Sequence, residues 1–499
     1  MITAVRAPLE FHGKLLGALA PFVLFLAGVG WLSLAGAPDE KGFWPVLLAA
    51  LALGLALARD RTRYSEAVIA AMGEPVVMLM IMAWLLAGVL GVVLNESGFV
   101  QTLVWGARAL HLTGALFVAS AFLTCAIIST STGTSFGTIM LAGPLLYPAG
   151  GELGAPPAVL MGAILAGATF GDSISPVSDT TIASAGSQRT DIPGTVRARL
   201  KYVVPAGALA LVASMTLAVL GAGIPAGGES LGIGGASPAG SPAALPMLLV
   251  PVVVIVLLAR GRHLFEGLLS GIALALVLGV ALGLIAPAKL LYIDKAAFGA
   301  KGLIIDGISR GVGVSIFTIL LVGLVGALQA SSAVEGALAW ARGTTASPRR
   351  AEVWIVAAAS VAVLLTTHSV VALLTVAPFA RELGGGAGLS AYRRANLLDM
   401  TVCTYPFILP YFLPTILASS ASASGEAFGM PRVAPLSAGV MNTYAWALVL
   451  AIVIAIATGY GRGEGTAGEE SHRDAGDGAA SHVPPEAPPA RAERLGPDA

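Results

Sequence analysis

Long apolar runs separated by short charged stretches set the pattern of this chain. Runs at 15–36, 43–58, 75–95, 203–223, 244–259, 265–286, 309–330 and 437–458 approach or reach the length of a membrane-crossing helix, about 20 residues. Two longer apolar regions, 112–186 and 353–420, each hold more than one segment. The runs are continuous and rich in Leu, Ala, Gly and Val, unlike the alternating pattern of a membrane β-barrel. The pattern predicts an all-α polytopic membrane protein with about 10–12 transmembrane segments.

Composition agrees. Of 499 residues, 56% are hydrophobic and 11% charged, against about 25% charged in a soluble chain. The 62 glycines and 30 prolines fit helices that pack closely and are broken or re-entrant in places. A formal net charge of +0 gives no reason to expect nucleic acid as a partner. The first run is long enough to span and reads as a membrane helix, not a cleaved signal. Cys125 and Cys403 fall in apolar runs without metal-ligand spacing and read as small packed hydrophobes.

Positive charge orients the spans. Arg59, Arg61 and Arg63, then Arg189, Arg197, Arg199 and Lys201, then Arg260 and Arg262, and finally Arg342, Arg349 and Arg350 flank apolar runs. Placing all four clusters in the cytoplasm, as the positive-inside rule asks, puts both termini inside and the Gly/Ser/Pro-rich linker 224–242 outside. The expected location is the cell's inner (plasma) membrane. The organisation expected is a first membrane repeat at 1–223, the extracytoplasmic linker 224–242, a second repeat at 243–460 and a disordered cytoplasmic tail at 461–499, which has almost no large apolar residue.

The two halves resemble each other. Gly91, Ser97 and Trp105 recur 235 residues on as Gly326, Ser332 and Trp340; Thr132, Ser135 and Pro144 recur at an offset of 234 as Thr366, Ser369 and Pro378. In the charge-derived topology the related spans run in opposite directions, so the repeats are expected to be inverted.

The costliest residues lie within the apolar regions. Gly167 to Thr181 reads GATFGDSISPVSDTT, with Asp172, Asp179 and six hydroxyls around Pro176. A charge at the centre of a membrane helix costs about 2.5–3.5 kcal/mol on insertion scales. The glycine and proline predict a helix that stops near 171 and restarts near 178, with Ser178 as its N-cap. Asp179 then has two readings, a site residue or a first-turn acid favoured by the helix dipole. A second stretch, 129–138, carries seven hydroxyls and two glycines, which makes an intact lipid-facing helix a poor fit and supplies the hard oxygens a cation wants. The candidates for binding a cation or proton are Asp172, Asp179, Thr132, Thr134, Ser135, Ser175, Ser178 and Thr180, with Asp172 as the sodium ligand. In the second half the candidates are Asp399, Asn396, Thr367, His368 and Thr401. His368 has a packing role as its alternative, and Asp399 a salt bridge to the nearby Arg393–Arg394 pair.

Thr132-Gly133-Thr134-Ser135-Phe136-Gly137-Thr138, followed by Gly171-Asp172 and Ser175-Pro176-x-Ser178-Asp179-Thr180-Thr181, resembles the NhaC-type sodium/proton antiporters of the ion-transporter superfamily. Phe136 stands where that family usually has Trp, and Leu398 where its Leu-Glu-Asp stretch has Glu. The resemblance implies exchange of sodium for protons by alternating access, with sodium and proton as transported ligands and no cofactor. The remaining partner expected is the lipid bilayer, and a homodimer is left open. The family also contains members that exchange carboxylates such as malate and lactate, so a sodium-coupled organic-anion transporter is the alternative. That alternative calls for a basic residue at the site, and the arginines and Lys201 read as lying in loops or at span ends. No enzymatic activity is expected: an intramembrane aspartyl protease using Asp172 and Asp399 would need Gly-x-Gly-Asp, and Thr169 breaks it. A channel would use similar oxygens and differs in its kinetics.

Overall fold

The computed structural model describes residues 8–35, 40–176, 178–221, 241–260, 262–295, 298–331 and 347–462. Most of the linker, the tail beyond 462, and Ser332, Trp340 and Arg342 lie outside the described residues. The first half runs through α1 (Leu15–Leu34), α2 (Glu40–Leu57), α3 (Arg61–Met72), α4 (Pro75–Glu96), α5 (Phe99–Ala109), α6 (Gly114–Thr132), α7 (Ser135–Glu152), α8 (Pro157–Ile174), α9 (Asp179–Gln188) and α10 (Ile192–Gly221). The second runs through α11 (Leu249–Ala259), α12 (Leu264–Ala281), a short α13 (Pro287–Leu290), α14 (Leu303–Gln329), α15 (Pro348–Thr366), α16 (Ser369–Gly386), α17 (Ala391–Val402), α18 (Leu413–Ser422), α19 (Pro435–Val440) and α20 (Thr443–Thr458). A small antiparallel hairpin, β1 (Tyr292–Asp294) with β2 (Gly299–Lys301), occupies the loop before α14.

The all-helical membrane architecture expected from the apolar runs is present. Six helical stretches among the described residues are long and apolar enough to cross a membrane, or seven counting Ile81–Glu96 and Phe99–Ala109, a pair bent by 65°. Lys41–Leu57, Pro242–Leu257 and Thr443–Thr458 are apolar but shorter. A count by length falls below the 10–12 segments expected because broken helices are individually too short to reach across about 30 Å at 1.5 Å per residue. Large apolar side chains such as Ile127, Val212, Val219, Val277 and Val453 point outward, the surface a lipid environment requires.

One expected boundary moves. The apolar run beginning at 203 is only part of a helix that starts at Ile192, so Arg197, Arg199 and Lys201 are helical, not loop, residues. Hydropathy ends a run at a charge, whereas a helix continues wherever the charged side chain finds a partner.

The resemblance between halves extends to the backbone. Helices α6, α7, α8 and α9 begin at Gly114, Ser135, Pro157 and Asp179; α15, α16, α17 and α18 begin at Pro348, Ser369, Ala391 and Leu413, each 234 residues later. Three of the four pairs also end at that offset; α17 stops early, at Val402. The breaks match as well. Gly133 (φ 67°) corresponds to Thr367 (φ 51°), both left-handed, and Thr134 (φ −144°, ψ 116°) corresponds to His368 (φ −134°, ψ 117°). The halves interlock: α9 packs on α16 and α17, while α18 packs on α7 and α8.

Glycine accepts the left-handed break at 133 without strain, but a β-branched threonine at 367 does not. Thr367→Gly removes a penalty of about 1–2 kcal/mol against roughly 0.5–1 kcal/mol of added chain entropy. The variant is expected to melt at a higher temperature in detergent, as read by thermal denaturation; a lower midpoint would mean that the Thr367 side chain stabilises the break.

Candidate cation site

Asp172 sits on the last turn of α8 and is 7% exposed. Its position follows from how α8 meets α6. A Cβ at Gly171 would collide with the Ala126 carbonyl of α6, so glycine lets the two backbones approach. Two hydroxyls then tie the helices together: Ser129 Oγ donates to the Ala168 carbonyl at 2.6 Å, and Ser175 Oγ to the Thr130 carbonyl at 2.8 Å. Beyond Ile174 the chain turns through Ser175 and Pro176, which has no N–H to continue a helix. It resumes at Asp179. Ser178 has the extended backbone of an N-cap (φ −67°, ψ 138°) but makes no capping bond; its hydroxyl lies 3.1 Å from Thr180 Oγ1.

The carboxylate of Asp172 faces the other break. Ser135 Oγ, on the first residue of α7, donates to Oδ2 at 3.2 Å. Oδ1 is buried and has no hydrogen-bond partner. Thr134 uses its hydroxyl to accept from Gly137 N at 3.2 Å, which caps α7. A cavity of about 190 Å³ opens here. Both halves line it with corresponding elements: Gly133 to Gly137 against Thr366 to Val371, and Asp172 with Ser178 to Thr180 against Pro406, Phe407, Leu413 and Pro414. Among the described residues its wall contains no lysine or arginine and two carboxylates besides Asp172, those of Glu74 and Asp179. Asp179 is exposed, in the first turn of α9.

Of the residues expected at the site, Thr134, Ser135, Asp172, Ser178, Asp179, Thr180, Thr367 and His368 line this cavity. The Nδ1 of His368 is buried without a partner. Thr132, Ser175, Asn396, Asp399 and Thr401 stand outside the cavity wall. Thr401 Oγ1 donates back to the Leu397 carbonyl at 2.6 Å, an ordinary helix contact. The Thr132 hydroxyl oxygen is buried without a partner.

Asp399 has a different neighbour from the one expected. Arg393 pairs with buried Glu352 at 2.9 Å, and Arg394 Nε donates to Gln188 Oε1 at 3.2 Å. The partner of Asp399 is Arg199; both are 1% exposed. This overturns the expectation that every arginine lies in a loop or at a span end. The Arg199 guanidinium also donates from Nη1 to the Ser173 carbonyl at 3.0 Å and to Thr181 Oγ1 at 2.9 Å, and from Nε to Asn396 Oδ1 at 3.1 Å. It therefore grips α8 and α9 on either side of the break and fastens both to α17. Asp399 is held further by Ser184 Oγ at 3.3 Å and Cys403 Sγ at 3.6 Å.

The chemistry available is that of hard oxygens: one buried carboxylate with an open lone-pair face, surrounded by alcohols. Among the described residues, no three His, Cys, Asp or Glu side chains gather as a transition-metal centre would need.

Comparison with known proteins places these features in a family context. A profile of the Na+/H+ antiporter family matches residues 65–221, a stretch containing both hydroxyl-rich motifs, and bears out the resemblance to NhaC-type antiporters. The chain is 39% identical over 111 residues to the malate-2H(+)/Na(+)-lactate antiporter of Bacillus subtilis, covering 22% of this chain and 23% of that protein. It is 35% identical over 127 residues to the Na(+)/H(+) antiporter NhaC of Alkalihalophilus pseudofirmus, covering 26% and 27%. With the arginine/ornithine antiporter ArcD of Halobacterium salinarum it shares 30% over 145 residues, covering 29% and 28%. The matched segments thus span 23–28% of the length of these curated relatives. Among solved structures, the YdaH transporter of Alcanivorax borkumensis aligns over 89% of this chain and 99% of its own at 13% identity and a TM-score of 0.40, too distant to transfer topology.

Removing one member of a buried ion pair strands the other, at a cost of about 3–5 kcal/mol, while replacing both with apolar residues is often neutral. Asp399→Leu and Arg199→Met are each expected to destabilise the protein strongly, and the double variant much less. Thermal melts in detergent test this; equal losses in all three would mean that the pair's charge is not what holds these helices.

Proposed function

We propose that this chain is a secondary transporter that exchanges sodium for protons by alternating access, with Asp172 binding either cation. The observation that carries the reading is the Asp172 carboxylate: buried at a helix break, hydrogen-bonded on one oxygen by Ser135, and open on the other toward a cavity whose described wall has no lysine or arginine. A buried charge without a counter-charge is expensive. The site therefore favours a bound monovalent cation, and sodium and proton compete for one set of oxygens. Loaded with either, it is neutral and able to reorient; empty, it is not. Ser135, Thr134, Ser178 and Thr180 are the hydroxyls placed to complete a sodium shell. Asp179, exposed at the same cavity, concentrates cations at its mouth.

The cavity reaches Gln329 at the end of α14, where the Ala330 carbonyl accepts from Leu9 N and the adjoining Glu10 carbonyl accepts from Arg59 N, beside the Arg59 cluster. By the positive-inside rule that end is cytoplasmic, so this is an inward-open form of a protein in the cell's inner membrane. The matching breaks and exchanged packing of the two repeats support an inverted relation between them, the usual basis of alternating access.

A second reading has its own support. A cavity of about 190 Å³ is far larger than one ion requires, and much of its wall is apolar. A small carboxylate carried together with sodium would fit, and one relative is named for exchanging malate and lactate. Arg199 does not strengthen this reading, because its charge is already matched by Asp399.

In proteoliposomes without organic anion, a sodium gradient is expected to drive an opposing proton flux, and Asp172→Asn to abolish it. Retained flux in that variant would overturn the role of Asp172; flux only when a carboxylate is supplied would favour the second reading. Ser135→Ala removes a hydrogen bond to a charged group worth about 1.5–3 kcal/mol, so the apparent KM for sodium is expected to rise about tenfold or more. Because protons compete, that KM is also expected to rise as pH falls in the unmodified protein; a pH-independent KM would argue against a shared site.

A further inference from the structure

A second cavity, of about 50 Å³, lies against the first. The two share Trp84 and Met140 as wall residues. Four helices run along both. On α4 the first cavity takes Val77 and Ala83 and the second Gly88 and Gly91, with Trp84 at the boundary. On α7 the first takes Ser135 to Gly137 and the second Pro144, with Met140 between. On α18, Leu413 and Pro414 face the first, and Leu417 and Ser420 the second. On α14 the order is Gln329, Gly326, Val325 and Val322, then Val314, Gly311 and Arg310.

The lining residues of α14 settle the scale. From Arg310 to Gln329 an α-helix advances about 28 Å, close to the roughly 30 Å hydrocarbon thickness of a bilayer. End to end, the two cavities cover a membrane. Their shared boundary is apolar and tight: Trp84 is 2% exposed, and a bulky indole beside a methionine excludes a hydrated ion. The smaller cavity still exceeds the space one water needs, about 10–15 Å³.

We infer that the two cavities are the two halves of one translocation pathway between α4, α7, α14 and α18, closed in this form by Trp84 and Met140. The inference rests on the alternating-access reading above but not on which ion is carried. In this form the binding carboxylate, Asp172, lies on the near side of the closure, and the described wall of the far half holds no carboxylate.

Sidedness of thiol labelling tests this without reference to sodium. With a membrane-impermeant methanethiosulfonate reagent and a Cys403→Ala background as blank, since Cys403 lines the first cavity while Cys125 is buried away from both, Thr367→Cys is expected to react from the cytoplasmic face. Ser420→Cys is expected to react from the opposite face. Adding Trp84→Ala to Ser420→Cys is expected to open that position to both faces. Labelling of Thr367→Cys and Ser420→Cys from the same face overturns the pathway, and a Trp84→Ala background that leaves sidedness unchanged overturns the gate. Ser424→Cys, on the same cavity wall, replaces Ser420→Cys if that variant fails to fold. If Asp172→Asn kept exchanging cations while these labels behaved as expected, the site assignment would fall and the pathway would stand.

Discussion

A helix broken inside a bilayer exposes backbone groups that no water can satisfy, and each one left bare costs several kcal/mol. This constraint explains most of the hydroxyls that mark the sequence. At the first break the Gly133 N–H is taken by the Ser129 carbonyl at 2.8 Å, and the Thr134 side chain takes Gly137 N. Ser129 and Ser175 donate across to carbonyls of the facing helix, and Thr130, Ser131 and Thr138 donate to carbonyls one turn back in the chain. Of the hydroxyls between 129 and 138, only Ser135 bonds a carboxylate. The motif is therefore chiefly the means by which a non-helical turn is held at depth, and the carboxylate site is what that turn makes room for.

The buried guanidinium of Arg199 serves the same end by electrostatics. A lone arginine at this depth would be prohibitive, yet its five N–H donors suit four partners on three elements: Ser173 and Thr181 across the second break, and Asn396 and Asp399 on α17. Buried pairs of this kind add little net stability and specify geometry instead. Here the geometry specified is the spacing between the end of α8 and the start of α9, which sets where Asp172 stands relative to α7. The fixed pair and the open carboxylate are thereby divided: Asp399 is neutralised by Arg199, and Asp172 has no basic partner among the described residues.

Much of this was legible in the sequence. Apolar runs located the helices closely, and three residues repeating at an offset of 234 marked what became a common start for four pairs of helices. Gly171 and Pro176 predicted the break beside Asp172 to within three residues at its first edge and one at its second. Arg199 was missed because a hydropathy reading stops at charges. Its signal lay in periodicity: Thr195, Arg199, Tyr202, Ala206 and Ala210 form a buried stripe at helical spacing on α10. The partner of Asp399 was misplaced because neighbours in sequence, Arg393 and Arg394, were closer candidates than one 200 residues away. Pairing across an interlocked repeat is a tertiary property, and local spacing carries no trace of it.

The repeat that builds the cavity does not repeat its chemistry. At the 234 offset, the position of Asp172 is held by Pro406, that of Asp179 by Leu413 and that of Thr134 by His368, and all six residues line the cavity. One wall is acidic and hydroxylic, the other free of carboxylates among the described residues and apolar apart from Gln329, Cys403 and the break at Thr366 to Ser369. A symmetric site with a carboxylate on each wall would hold two charges a few ångströms apart, and neutralising it would take two cations or one cation and a proton. With one carboxylate, a single monovalent ion is sufficient, and a proton is its equivalent in charge. Breaking the chemical symmetry while keeping the backbone symmetry thus sets a carboxylate-bearing break against an uncharged one across a single cavity.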